Sequence, residues 1–124
     1  MRRIYDDWGR GNFRAGVELF DPHVLLVLRP EFPDAGLYVG PDEIANYTRD
    51  LLASWESFVM EAEDFVDAGD SVVVQIRQRG VGASSGVVTE VRYFQAWTFR
   101  GDAIIRIESI REREQAFEAV GLEK

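Results

Sequence analysis

The sequence predicts an α+β domain, in which a twisted and curved antiparallel sheet encloses helices. Three observations predict it. Apolar residues recur at helical spacing through the first part of the chain, up to Trp55. From Phe58 onward the apolar period shortens to that of extended strands. The last two long runs, beginning at Thr89 and at Ala103, are separated by a short turn containing Gly101 and Asp102, which is a hairpin signal.

The hairpin organises the rest. Side chains alternate across a strand, so Val91, Tyr93, Gln95, Trp97 and Phe99 share one face. Ala103, Ile105, Ile107 and Ser109 share one face of the partner strand. Both faces are apolar except at Gln95 and Ser109, which suits the wall of a small-molecule pocket between sheet and helices.

The other elements follow in order. Ile4 and Trp8 sit four apart on one face of a helix within Met1 to Gly11, which Gly9 and Gly11 end. Phe13, Val17 and Phe20 predict a second short helix with Asn12 as its N-cap, broken by Asp21-Pro22. Val24 to Leu28 reads as a short apolar strand. Pro30, Pro33 and Gly36 force an irregular loop before Leu37-Tyr38-Val39. Gly40-Pro41-Asp42-Glu43 opens a third helix with proline and acids in its first turn. Its buried stripe is Ile44, Tyr47, Leu51, Leu52 and Trp55. Phe58 to Val66 is a strand whose alternation is blurred by Glu61, Glu63 and Asp64, and Asp67 to Asp70 is a turn. Val72, Val74, Ile76 and Gln78 then alternate with Val73, Gln75, Arg77 and Arg79, a half-buried strand. Gly80 to Gly86 is a Gly/Ser-rich connection to the hairpin. Glu112 to Val120 closes as a helix with Phe117 and Val120 facing in and Gly121 as its stop. No repeat or linker divides residues 1–124, which read as a single domain.

Composition narrows the function. A chain of 124 residues carries one real core. With 46% hydrophobic residues, three Trp, four Tyr and eight Phe, disorder is excluded. The absence of cysteine excludes a disulfide framework and a thiolate metal site. A net charge of −8, with no basic run beyond Arg2-Arg3, sets nucleic acid aside. No apolar run approaches the roughly 20 residues of a membrane span, and none near the N-terminus has signal-peptide character. The expected location is the cytoplasm, with no cofactor, metal or membrane partner.

Several segments resemble a known family. They are Arg2-Arg3-Ile4-Tyr5-x-x-Trp8; Glu31-Phe32-Pro33-Asp34-x-Gly36-x-Tyr38-x-Gly40; Asp67-Ala68-Gly69-Asp70 before a valine run; Trp97-Thr98-Phe99-Arg100-Gly101; and the stretch from Arg111 to Gly121. Their order and spacing, over nearly the whole chain, resemble the SnoaL-like branch of the nuclear-transport-factor-2-like superfamily. The resemblance implies a sheet wrapped as a cone around about three helices, commonly dimerised through the sheet. It also implies a further turn or more of helix ahead of Arg2. The family includes ketosteroid isomerases, limonene epoxide hydrolases, polyketide cyclases and proteins without known activity, so the fold does not settle the function.

The family's catalytic sets match this chain poorly. Ketosteroid isomerase uses an Asp base with Tyr and protonated Asp oxyanion donors. In ungapped matching these fall on Leu28, on Ile4 beside Tyr5, and on Gln95, which can donate a hydrogen bond but cannot titrate. The Asp-Arg-Asp set of limonene epoxide hydrolase falls near Ile76, Gln78 and Ser109. The SnoaL-type acid lands on or near Glu112, which reads more simply as an acid favoured by a helix N-terminus. His23, the one histidine, sits at a turn and reads as solvated. Glu31 and Asp34 lie on the Pro-rich loop, where they could rim a pocket but read first as surface acids. No phosphate loop or nucleophile elbow is present.

Two readings stay open. One is a binding protein for a small apolar molecule, including aromatic or polyketide-like compounds. Tyr5, Trp8, Leu28, Tyr47, Trp55, Tyr93 and Trp97 line its pocket, and Gln78, Gln95 and Ser109 supply its polar groups. The other is a SnoaL-like enzyme, a polyketide cyclase, isomerase or epoxide hydrolase type, using Glu112, Tyr5 or an acid placed outside. On the opposite sheet face, Phe94, Arg106, Glu108 and Ile110 beside Arg77 and Arg79 predict a homodimer contact.

Overall fold

The computed structural model of the chain describes residues 2–9, 16–32 and 34–122. In order, the elements are α1 (Arg2–Gly9), a 3-10 turn (Val17–Leu19), β1 (Phe20–Leu28), β2 (Gly36–Val39) and α2 (Gly40–Ala53), followed by β3 (Trp55–Ala68), β4 (Ser71–Gly82), β5 (Val88–Arg100), β6 (Ala103–Ile110) and α3 (Arg113–Ala119). Among the described residues the strands form one curved, unclosed sheet in the order β2-β1-β6-β5-β4-β3. Neighbours pair antiparallel except β1 and β6, which are parallel. The tight β3–β4 and β5–β6 turns place Gly69 and Gly101 at φ 71° and 61°, the left-handed region that glycine adopts without a Cβ penalty.

The two faces of the sheet carry separate cores. On the inner face Val24, Leu26, Leu28, Met60, Val74, Ile76, Tyr93, Trp97, Ile104 and Ile107 pack against Ile4 and Tyr5 of α1 and Ile44 of α2. On the outer face Val73, Ala96 and Ile110 pack beneath Ala116 and Phe117 of α3. The period-2 pattern produces this division: Val73 and Val74 are both buried because each face has its own cover.

Several sequence expectations are corrected here. Asn12 and Phe13 lie outside the described residues, but Phe20 begins β1 rather than ending a helix. Pro22 lies inside that strand, where the register against β6 shifts between Phe20 and Leu25. A proline has no N–H to donate, and an irregular stretch of ladder accommodates it. Trp55 leaves the α2 stripe: the helix ends at Ala53, and Trp55 starts β3 and packs its ring on Phe58 at a centroid distance of 6.0 Å. The acids that blurred β3 mark a second irregularity, because Ala62 pairs with Ile76 while Asp64 pairs with Gln75. The extra residue, Glu63, returns Phe65 to the inner face. A third bulge reverses the face of Ile105: Thr98 pairs with Arg106 but Phe99 with Ile104, so Ile104 is the fully buried residue.

The patch offered to a partner changes as well. Ile110 is 0% exposed because α3 covers it, and Phe94 is half-buried beside that cluster. Glu108 is 9% exposed, held by Arg29 Nε at 2.8 Å and Arg106 Nη2 at 3.3 Å. The chain's own helix and ion pairs therefore use groups that the sequence reading left free for a second copy.

Candidate functional site

The inner sheet face carries the polar positions that alternation predicts, and Tyr5 of α1 occupies one of them, Gln95. Gln95 and Trp97 are two apart on β5 and both turn toward Tyr5. The Tyr5 hydroxyl donates to Gln95 Oε1 and accepts from Trp97 Nε1 at 2.7 Å. Tyr5 also packs edge-on against Trp8, Phe65 and Trp97, with ring centroids 5.1, 5.8 and 5.9 Å away. Edge-to-face contact suits the aromatic quadrupole, so the rings fill this end of the sheet as core. Burial holds the Tyr5 phenol well above its ordinary value, outweighing the Trp97 hydrogen bond, so it remains neutral. Tyr93 donates to Gln78 Oε1 at 2.8 Å, across a diagonal of the β4–β5 ladder. Ser109 is 4% exposed opposite Gln95. Of the buried polar residues, Gln95 and Ser109 belong to this face, and neither ionises at ordinary pH.

An open concavity lies beside α2. A groove of about 510 Å³ is lined on one side by Glu43, Asn46, Tyr47, Asp50, Leu51 and Ser54, and on the other by Asp34 and Tyr38. The first six recur three and four apart, which is one face of a helix continued into its last turn. Helix α2 starts with Pro41 in its first turn, and Glu43 Oε1 accepts the Val39 N–H at 2.8 Å, so the face is set from its N-terminus.

Asp34 is the centre of this site. The Tyr47 hydroxyl donates to Asp34 Oδ2, and the Tyr38 hydroxyl donates to the Asp34 carbonyl at 3.2 Å. The Tyr38 and Tyr47 rings lie side by side, with centroids 4.5 Å apart and planes tilted by 39°. Burial first, then the hydrogen bond and charge of Asp34, push the Tyr47 phenol far above its ordinary value. Burial and the charge of Asp34 also raise Tyr38 and Tyr93. Phe32, on the same loop, packs on Tyr93 with centroids 5.4 Å apart, so the loop links the groove to the inner face. Chemically the groove offers a hydrogen-bond-accepting carboxylate, neutral phenols and aromatic surface.

Of the residues the sequence singled out, Tyr47 and the loop acid Asp34 line the groove. Tyr5, Trp8, Leu28, Gln78, Tyr93, Gln95, Trp97 and Ser109 gather instead on the inner face, and Trp55 lies against Gly80 of β4. Glu112 is exposed at the start of α3, where its carbonyl accepts the Ala116 N–H at 3.0 Å, as a helix-start residue does. His23 is exposed and its backbone N–H binds Asp21. Among the described residues no group of three or more His, Asp or Glu side chains converges as a metal site. No helix among the described residues is long and apolar enough to cross a membrane. Asp34, which the sequence placed on a loop able to rim a pocket but read first as a surface acid, does line the groove, and Tyr38 is what sequence reasoning passed over. The available signal was the spacing of Glu43, Asn46, Tyr47 and Asp50, a polar face on α2 that adjoins the apolar stripe and shares Tyr47 with it.

The SnoaL-like domain family model matches residues 1–107. No curated protein matches the chain. Among solved structures, a nuclear-transport-factor-2-like protein of Burkholderia thailandensis is 26% identical, covering 88% of this chain and 85% of its own, at a TM-score of 0.79. A protein of a Jannaschia species, named as a candidate SnoaL-like polyketide cyclase, is 18% identical over 98% of this chain and 89% of its own, at 0.75. A protein of Catenulispora acidiphila with a ketosteroid isomerase-like fold, in complex with trimethylamine, is 18% identical over 95% and 88%, also at 0.75. The last two likenesses show the fold.

Proposed function

Because the chain belongs to the SnoaL-like domain family, we propose that it binds a small organic molecule in the groove between α2 and the loop carrying Asp34. The observation that carries this reading is the groove itself. Its volume of about 510 Å³ lies within the roughly 300–1,000 Å³ of small-molecule sites. Its wall combines two tyrosine rings and Leu51 with a carboxylate fixed by a phenol. The body of the ligand lies against the rings, and a hydrogen-bond donor on it meets Asp34. The trimethylamine complex of the Catenulispora protein supports small-molecule binding on this scaffold.

A thermal-shift screen against small metabolites tests the reading. A ligand at about 100 times its Kd stabilises the protein by about 2.7 kcal/mol. Asp34→Asn and Tyr47→Phe are expected to cut that shift by about half or more, as a tenfold or greater loss of affinity does. Hits that survive both substitutions and vanish with Gln78→Leu would move the site to the inner face and overturn the proposal.

One observation favours the enzymatic alternative. The contact between the Asp34 carboxylate and the Tyr47 phenol, open to a groove, pairs a proton acceptor with a donor within reach of a bound molecule. Turnover of a screening hit that is lost in Asp34→Asn, while binding is kept, would establish that role.

A further inference from the structure

We infer that the molecule held in this groove is an organic cation, an amine or quaternary ammonium group on an apolar body; the inference rests on the groove being the binding site. Tyr38 and Tyr47 present adjacent rings, 4.5 Å between centroids, to the same space as the Asp34 carboxylate. The face of a phenol ring is negative and attracts a cation. Asp34, Glu43 and Asp50 line the groove, and none of its eight lining residues is basic. The nearby guanidinium of Arg49 stands 4.0 Å from Asp50 on a side chain 73% exposed, so it extends into solvent.

Desolvation decides between ligand classes. A neutral apolar body covering Asp34 would strip water from the carboxylate and leave it, among the described residues, the Tyr47 hydroxyl as its side-chain partner, which is costly. An anion would meet like charge, and the chain's net charge of −8 would repel it on approach. A cation compensates the carboxylate and gains the ring faces.

The test is an NMR titration of the protein with choline and, separately, with 3,3-dimethylbutan-1-ol, its neutral isostere. Choline is expected to shift the amides of Asp34, Tyr38 and Tyr47 and to bind at least roughly tenfold tighter than the alcohol. Its affinity should fall as salt rises. Asp34→Asn keeps an acceptor for Tyr47 and should weaken choline by about tenfold. Asp50→Asn, at an exposed position, removes charge without touching the loop and should weaken it less. Equal binding of both compounds at the groove, or a groove that takes a neutral screening hit and ignores choline, overturns the cation while leaving the site standing. If neither compound nor any screening hit perturbs the groove, both the cation and the site fall.

Discussion

Tyr5 closes two needs with one hydroxyl. It accepts from the buried Trp97 indole and donates to the buried Gln95 amide, so its loss strands both. An unpaired buried polar group costs about 1–3 kcal/mol. Tyr5→Phe is therefore predicted to destabilise the chain by about that much in urea unfolding, and an unchanged midpoint would contradict the account. Gly80 makes the opposite kind of point. A Cβ there would stand 2.6 Å from Trp55 Cε3 and 2.9 Å from Cζ3, against a rigid indole. Gly80→Val is predicted to cost about 1–3 kcal/mol, the usual range for overpacking, with a red shift in tryptophan emission as Trp55 is displaced. At this scale the sequence was partly legible. Alternation alone placed Gln95 and Ser109 on the inner face. Asp34 was legible only as a loop acid that could rim a pocket; its bond to Tyr47 was not, because it joins residues 13 apart through an irregular loop that has no period to read.

Elements were legible where their period ran uninterrupted and misread where a single residue broke it. The hairpin of β5 and β6 runs where the alternation puts it, yet the bulge at Ile105 reverses which of two adjacent isoleucines is core. Nothing in the run Ala103-Ile104-Ile105-Arg106-Ile107 distinguishes the two before the register is known. Likewise Trp55 sits four residues beyond Leu51, a helical spacing, but α2 ends at Ala53 and the ring joins β3. Helix α3 shows what an apolar pair at the chain's end does. Its Ala116 and Phe117 cover Val73, Ala96 and Ile110, so the outer face has a cover of its own. Phe117→Ala is predicted to cost about 3 kcal/mol in chemical denaturation, with α3 losing its anchor. A loss below about 0.5 kcal/mol would show that α3 does not hold that face.

Across the whole molecule, buried phenols set a response to alkali. Tyr5, Tyr47 and Tyr93 have folded-state pKa values above the ordinary value of 10.0. Above that value the unfolded chain has lost these protons and the folded chain keeps them, so the unfolded state binds fewer protons and stability falls as pH rises. Below it both states are protonated, and these groups add no slope. The urea midpoint is predicted to drop between about pH 9 and about pH 11, with tyrosinate absorbance appearing together with unfolding; ionisation ahead of unfolding would contradict it. The outer face also reads differently at this scale. With Ile110 covered, what it offers a second copy is half-buried Phe94 beside the charges of Glu61, Glu63, Arg77 and Arg92, which already pair within the chain. A dimer seated there is predicted to weaken in high salt and to be broken by Phe94→Glu, both measurable by sedimentation.

The most direct measurement is a crystal structure of the chain with a hit from the thermal-shift screen. The account predicts ligand density against the Tyr38 and Tyr47 rings, with a donor atom within hydrogen-bond distance of Asp34. Density between the sheet and α1, against Gln78 and Gln95, would contradict it.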